Sequence, residues 1–315
     1  MRNVLFLALL FVALVSCMNG KRKSELESDS LYEDSIWKSQ YNNTFSATAN
    51  NISTSAYDSL MRYTAPVESH FQGIYSGCGS IFFYKTGKKK FVVSNRHIFN
   101  GRNYFYLDSI QYEYQIDTTI VRCRKYNSNA MLEYIPMDKY SSDLNKGERF
   151  YDSGFIDLYK IEITPPSNTE ELNYINALID TSYFDKIPDS IFCFGFDGNL
   201  FDGQSPDWIN TKPTLLGGIY ISYYEWLSEE ERVKNQKVNI AANQRFYNNM
   251  NDKYFFISSF GVTGMSGSPV FGKFPIIKNG VQGYVIKFIG VLFGLEKDTH
   301  HTWVIKAKSV YNYLK

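Results

Sequence analysis

The run Ile81-Phe82-Phe83-Tyr84, the polar break Thr86-Gly87-Lys88-Lys89 and the return over Lys90–Val93 constrain this chain more than any other stretch. Aromatic and β-branched residues on both sides of a glycine-containing turn are the signature of a β-hairpin. The pattern recurs, with short runs of Tyr, Phe, Val and Ile separated by Gly, Asn and Asp. The 315 residues include 25 Tyr and 24 Phe. Such side chains suit a pleated, half-buried surface, so the fold expected is all-β. About 260 residues follow position 55, enough for one large β domain or two small barrels sharing a cleft.

Few helices stand out. A short one is expected within Asn168–Leu178, and the best mid-chain candidate is Ser228–Phe246, with Ser228 as cap and Glu229–Glu231 in its first turn. Ala307–Leu314 could close the domain as a C-terminal helix. Asp197–Asn251 is longer than a compact barrel requires, and part of it reads as a partly helical insertion near the cleft. Lys287–Leu295 and Trp303–Ala307 read as final strands, and no internal repeat suggests an array.

The N-terminus has a different character. Met1-Arg2-Asn3 supplies positive charge, and the apolar run Val4–Val15 is too short to span a bilayer comfortably, so residues 1–17 read as a secretion signal. Leu14-Val15-Ser16-Cys17 looks like a bacterial lipobox, which implies lipidation of Cys17 and an exported protein anchored in the cell envelope. Residues 18–55 are polar and poor in aliphatic side chains, and are read as a flexible tether. Asp29-Ser30-Leu31, Asp34-Ser35-Ile36 and Asp58-Ser59-Leu60 resemble O-glycosylation tripeptides but are read as ordinary linker.

Charge excludes one class of partner. The formal net charge is +1, and Lys88–Lys90 sits in a hairpin turn, so no nucleic-acid partner is implied. Cys78, Cys123 and Cys193 lack zinc-ligand spacing; a disulfide between Cys78 and Cys123 and buried thiols are both open. No metal or cofactor is expected. His300 and His301 read as exposed loop residues.

One motif carries chemistry. In Gly264-Met265-Ser266-Gly267-Ser268-Pro269, glycines on both sides of a serine allow a tight turn and let a carbonyl reach the backbone N–H groups. A serine nucleophile needs a base, and the base needs a third group to hold its tautomer. Among four histidines, His97 follows the apolar strand Phe91-Val92-Val93 at a polar turn. Asp157 stands within the strand-like run Gly154–Ile161, with Asp143 and Asp152 nearby. The order is His97, Asp157, Ser266.

At these three motifs the sequence resembles the trypsin-like, chymotrypsin-fold serine peptidases, in particular their bacterial branch. The matching pieces are Val93-Ser94-Asn95-Arg96-His97-Ile98, Asp157-Leu158-Tyr159-Lys160-Ile161 and Gly264–Val270. Lesser echoes are Ile191–Phe196 and Leu216–Ile219. The resemblance implies two six-stranded-type antiparallel β-barrels within residues 56–315, the first over about 70–165 and the second over about 185–315. It implies a serine endopeptidase acting on a peptide or protein substrate, with Gly264 and Ser266 N–H groups as the oxyanion hole. It also implies a specificity pocket near Ser258–Phe260 and Leu292–Gly294, with Phe260, Leu292, Phe293 and Gly294 as substrate-binding residues. These segments contain no acid, so an apolar or small side chain is expected there rather than Arg or Lys. Met265 replaces the aspartate that precedes the serine in animal digestive members, so no activation by a freshly cut N-terminus is expected through that position. The alternative reading is a catalytically silent member that binds a peptide or partner in the same cleft.

Overall fold

The computed structural model describes residues 59–71, 74–100, 118–124, 132–137, 155–164, 172–198, 213–234, 237–278 and 281–315. The expected signal at residues 1–17 with Cys17, the expected tether at 18–55, Asp143 and Asp152 lie outside the described residues.

The expected hairpin forms. Strand β2 (Ile74–Thr86) turns at Gly87, whose φ of +57° suits glycine, into β3 (Lys89–Ser94), pairing Phe82 with Val93 and Thr86 with Lys89. Around it are β1 (Ala65–Phe71), β4 (Thr118–Arg124), β5 (Leu132–Met137) and β6 (Tyr159–Ile163), giving a six-stranded antiparallel sheet in the order β5-β4-β1-β2-β3-β6. This sheet begins at Ala65, a little before the expected position near 70.

The second sheet has seven strands. They are β7 (Ser190–Gly195), β8 (Thr214–Gly218), β9 (Tyr220–Ser222), β10 (Tyr254–Ile257), β11 (Pro269–Lys278), β12 (Val281–Glu296) and β13 (His301–Lys306). Their order is β8-β7-β11-β12-β13-β10-β9, and all pairings are antiparallel. Two curled antiparallel sheets followed by a C-terminal helix make a chymotrypsin-like fold. The seventh strand is the short edge strand β9, beyond the six-stranded plan.

Strand periodicity explains the core. Along β2 and β3, Phe82, Tyr84, Phe91 and Val93 enter a large apolar cluster with Phe192, Phe194, Phe271 and Phe288 of the second sheet. The alternate residues Ile81, Phe83 and Val92 join a smaller cluster with Val67, Ile98 and Phe99. Both faces of this hairpin are therefore buried, and each fully buried phenylalanine contributes about 1.5–3 kcal/mol.

The helices depart from expectation in an instructive way. After the short helix α1 (Arg96–Asn100), the mid-chain candidate resolves into α2 (Tyr223–Lys234) and α3 (Gln244–Lys253). Helix α2 starts earlier than expected because Ser222 and Glu225 cap each other: Ser222 N–H donates to Glu225 Oε2 at 2.7 Å, and Glu225 N–H to Ser222 Oγ at 3.2 Å. Ser228 instead donates back to the Tyr224 carbonyl at 3.1 Å within the helix. Of the 168–178 candidate, the described part holds a 3-10 turn at Ile175–Leu178. Helix α4 (Ala307–Leu314) forms as expected, buries Val310 and Leu314, and receives Lys160 Nζ from β6 on its Leu314 carbonyl at 3.0 Å.

Candidate active site

His97 and Asp157 are brought together by strand register. β3 and β6 pair Ser94 with Tyr159, so the residues just after Ser94 and just before Tyr159 leave the sheet on the same side. His97 lies in α1, which is seated by Ile98 against Gly79, by a Ser69 hydroxyl bond to the Ile98 carbonyl at 2.6 Å, and by Phe99 edge-on to Tyr159. A Cβ at position 79 would lie 2.8 Å from Ile98 Cδ1, so that glycine admits the helix. Asp157 is not inside a strand as the sequence suggested. It sits at a tight bend closed by Leu158 N–H on the Ile156 carbonyl at 2.8 Å, just before β6.

The bend aims the carboxylate at the histidine. Asp157 is 1% exposed; its Oδ2 lies 2.5 Å from His97 Nδ1, and its Oδ1 accepts the His97 backbone N–H at 3.1 Å. Asn95 Nδ2 holds the Asp157 carbonyl at 2.8 Å. With both carboxylate oxygens directed at one residue, Nδ1 of His97 carries the proton in the neutral ring and Nε2 is the open base. Burial, with Asp157 and Tyr223 nearby, pushes the Tyr254 phenol far above its ordinary value, so it stays neutral beside the carboxylate.

Ser266 sits half-buried in the turn before β11, and its carbonyl accepts from Ser80 N–H of β2 at 2.8 Å. A Cβ at Gly267 would lie 2.0 Å from the Ser80 carbonyl oxygen and 2.1 Å from Ser94 Oγ, so only glycine lets the serine turn approach so closely. Among the described residues, neither the Ser266 hydroxyl nor His97 Nε2 has a hydrogen-bond partner, so these two side chains are not bonded to each other.

The backbone of the turn follows a strict pattern. The Thr263 carbonyl accepts from Gly198 N–H at 2.6 Å and the Met265 carbonyl from Ser268 N–H at 3.0 Å. In a trans peptide the N–H points opposite its carbonyl, so these anchors turn the Gly264 and Ser266 N–H groups the other way. Met265 N–H donates to Val262 and Gly267 N–H to Leu292, whereas the N–H groups of Gly264 and Ser266 have no acceptor among the described residues. Gly264 has φ +93° and Gly267 φ +87°, the conformations that the two glycines make accessible.

The expected pocket residues differ in placement. Leu292 is paired with the serine turn through Ser268 and Gly267, at 3.0 and 2.8 Å. Phe293 is 1% exposed, with its ring in the core between Tyr254 and Trp303, so its side chain does not face the turn. Gly294 follows at the register shift opposite Trp303, and Phe260 is half-buried with His300 edge-on to its ring. Against the 259–261 segment lie Leu295 and Thr302, which are register partners: Thr302 Oγ1 accepts from Gly261 N–H at 2.7 Å and donates to the Ser259 carbonyl at 2.7 Å. Leu295 Cδ2 lies 3.1 Å from where a Gly261 Cβ would be. The sequence hid these two because the bulge between Leu292 and Gly294 shifts which residues meet.

Two other expectations are settled by packing. His300 is exposed, but His301 is the first residue of β13 and is 6% exposed, because α2 covers it: Trp226 Nε1 donates to Thr299 Oγ1 at 2.9 Å and Glu229 Oε2 lies 3.6 Å from His301 Nε2. Cys193 is a buried thiol, and the side chain of Cys123, one half of the Cys78–Cys123 alternative, lies outside the described residues. Burial pushes the Cys193 thiol far up, so it stays protonated.

No family model matches the chain, and no curated protein matches it by sequence. Solved structures similar to it include a serine endoprotease from Yersinia pestis, at 14% identity and TM-score 0.42 over 84% of this chain and 66% of that one. This chain thus spans just under two thirds of that protein's length. HL collagenase is similar at 10% identity and TM-score 0.47, over 81% of this chain and 92% of that one. The thermostable serine protease AL20 from an extremophilic microorganism is similar at 11% identity and TM-score 0.45, over 81% and 97%.

Proposed function

We propose that this chain is a serine endopeptidase. The observation that carries the reading is the contact of buried Asp157 with half-buried His97, at 2.5 Å, together with a serine turn whose Gly264 and Ser266 N–H groups are turned away from their anchored carbonyls. Substrate binding brings Ser266 Oγ against His97 Nε2, a contact that commonly tightens only in the substrate complex. The hydroxyl attacks the peptide carbonyl carbon as its proton passes to Nε2, and Asp157 stabilises the imidazolium. The carbonyl electron pair moves to oxygen, where the two N–H groups receive it; losing one such donor costs about 3–4 kcal/mol of transition-state stabilisation. Collapse returns the pair, breaks the C–N bond, and His97 protonates the leaving amine. Water then hydrolyses the acyl-serine by the same route.

Selectivity follows from Leu295 and Thr302. With Thr302 bonded directly to Gly261 and Leu295 against the same glycine, the space between the 259–261 segment and β12 is already occupied. A small, uncharged side chain on the acyl side of the cleaved bond fits this arrangement. The open Ser266–His97 contact favours a second reading, a silent binding module with the same cleft. Cleavage of a random-sequence peptide library that is abolished by Ser266→Ala and His97→Ala supports the peptidase; intact library peptides with tight binding to the chain favour the module.

The leader completes the proposal. Residues 1–17 export the protein, and a lipid on Cys17 anchors it in a bacterial envelope through the 18–55 tether. Labelling of cells with an alkyne fatty acid tests this: the wild type takes up label and Cys17→Ala does not, whereas equal labelling excludes Cys17 as the anchor.

A further inference from the structure

Ser80 is fully buried in β2, and its three polar groups reach three separate segments. Its N–H donates to the Ser266 carbonyl at 2.8 Å, and its hydroxyl donates to the Gly264 carbonyl at 3.1 Å while accepting from Phe196 N–H at 2.9 Å. Its carbonyl accepts from Ser94 Oγ at 2.7 Å, three residues before His97. A serine in Gly77-Cys78-Gly79-Ser80 has the composition of a turn, yet it lies mid-strand and bridges the two sheets.

We infer that the Ser80 hydroxyl is a positioning residue for the two oxyanion donors, a role that rests on the peptidase reading. The Gly264–Met265 peptide lies between the peptides that carry those donors. Gly264 has no Cβ to restrict rotation, so the orientation of this peptide is set by what holds its two ends. Met265 N–H is held by Val262 at 3.1 Å and the Gly264 carbonyl by the Ser80 hydroxyl. Removing the hydroxyl strands a buried carbonyl and frees Gly264 to rotate, which turns one donor out of alignment with the other. Because Ser80 is also bonded to Ser94, β2 serves as a common reference for the oxyanion donors and the segment leading to His97.

The test is the kinetics of fluorophosphonate reaction with purified full-length protein, since phosphylation of Ser266 develops negative charge on the phosphoryl oxygen at the same donors. Ser80→Ala is expected to lower the saturating rate about tenfold, less than the hundredfold or more lost with a direct donor. The half-saturating probe concentration should hold within about twofold, as should the pH midpoint, because neither probe binding nor the His97 base is altered. Ser80→Thr, which keeps the hydroxyl, should recover most of the rate. A Ser80→Ala rate equal to wild type overturns the role. So does a loss with a shifted pH midpoint, which would assign the effect to His97 through Ser94. Failure of folded wild type to react overturns the peptidase reading itself, and this role with it.

Discussion

The Asp157 carboxylate and the His97 imidazole, 60 residues apart in sequence, meet at 2.5 Å, with the second carboxylate oxygen on the His97 backbone N–H. That double contact makes the effect of Asp157→Asn specific. The asparagine oxygen is drawn to the backbone N–H, which turns its NH₂ toward Nδ1. Nδ1 must then accept, the ring proton moves to Nε2, and the base is lost with the geometry intact. Peptide hydrolysis should fall by roughly 10³–10⁴-fold with little change in melting temperature. A loss below tenfold would show that Asp157 does not set the tautomer.

Gly264 is the position where the turn tolerates least. At φ +93° an added Cβ would lie 2.4 Å from Gly198 N and 2.6 Å from the Phe196 carbonyl oxygen, both backbone atoms with little freedom to retreat. Gly264→Ala should cost roughly 1–3 kcal/mol in denaturant unfolding and eliminate serine reactivity. Retained reactivity at wild-type stability would mean that the turn has another conformation.

Leu295 controls the acyl-side cleft if the occupied space beside Gly261 limits it. Leu295→Gly is expected to extend cleavage from Ala- or Gly-type residues to Leu and Phe, shifting relative kcat/KM toward the larger residues by about 10–100-fold. An unchanged profile in the library assay would remove Leu295 from the specificity-determining residues.

The His301 corner makes stability depend on pH. Burial pushes this imidazole below its ordinary value of 6.5, with Glu229 pulling the other way and His300 adding to the push. The unfolded chain takes up a proton near 6.5 while the folded chain resists until lower pH, so the unfolded state binds more protons between the two. The His301 contribution is complete above the ordinary value and is lost as pH falls through that window. Glu296, raised by burial, has the opposite sign: its cost is full above its raised value and is relieved as pH falls toward 4.5. Denaturant unfolding of His301→Gln against wild type, from about pH 8 to pH 5, should show a stability difference that shrinks as the pH drops. A constant difference would contradict the burial argument.

Much of the fold was legible where local pattern and tertiary environment agree. The 81–93 hairpin, the final strands and the Ala307–Leu314 helix follow from residue periodicity and turn composition. His97 and Asp157 were legible as residues, but the bend that presents Asp157 depends on its closing hydrogen bond with Leu158 and on the pairing of Ser94 with Tyr159. What stayed hidden was set by register and by contacts distant in sequence. Leu295 meets Thr302 only after a bulge, Ser80 meets Gly264 across 184 residues, and α2 starts at a Ser222–Glu225 cap within a run of aromatics that reads equally well as strand. His301 reads as an exposed loop residue in sequence because the helix that buries it is contributed by residues 223–234.

The most direct test of the account is covalent labelling of purified protein with a fluorophosphonate, followed by mass mapping of the adduct. One adduct is expected, on Ser266, absent in Ser266→Ala and much slower to form in His97→Ala. An unlabelled Ser266 in protein shown to be folded, or labelling indifferent to His97, would contradict an activated serine at this site.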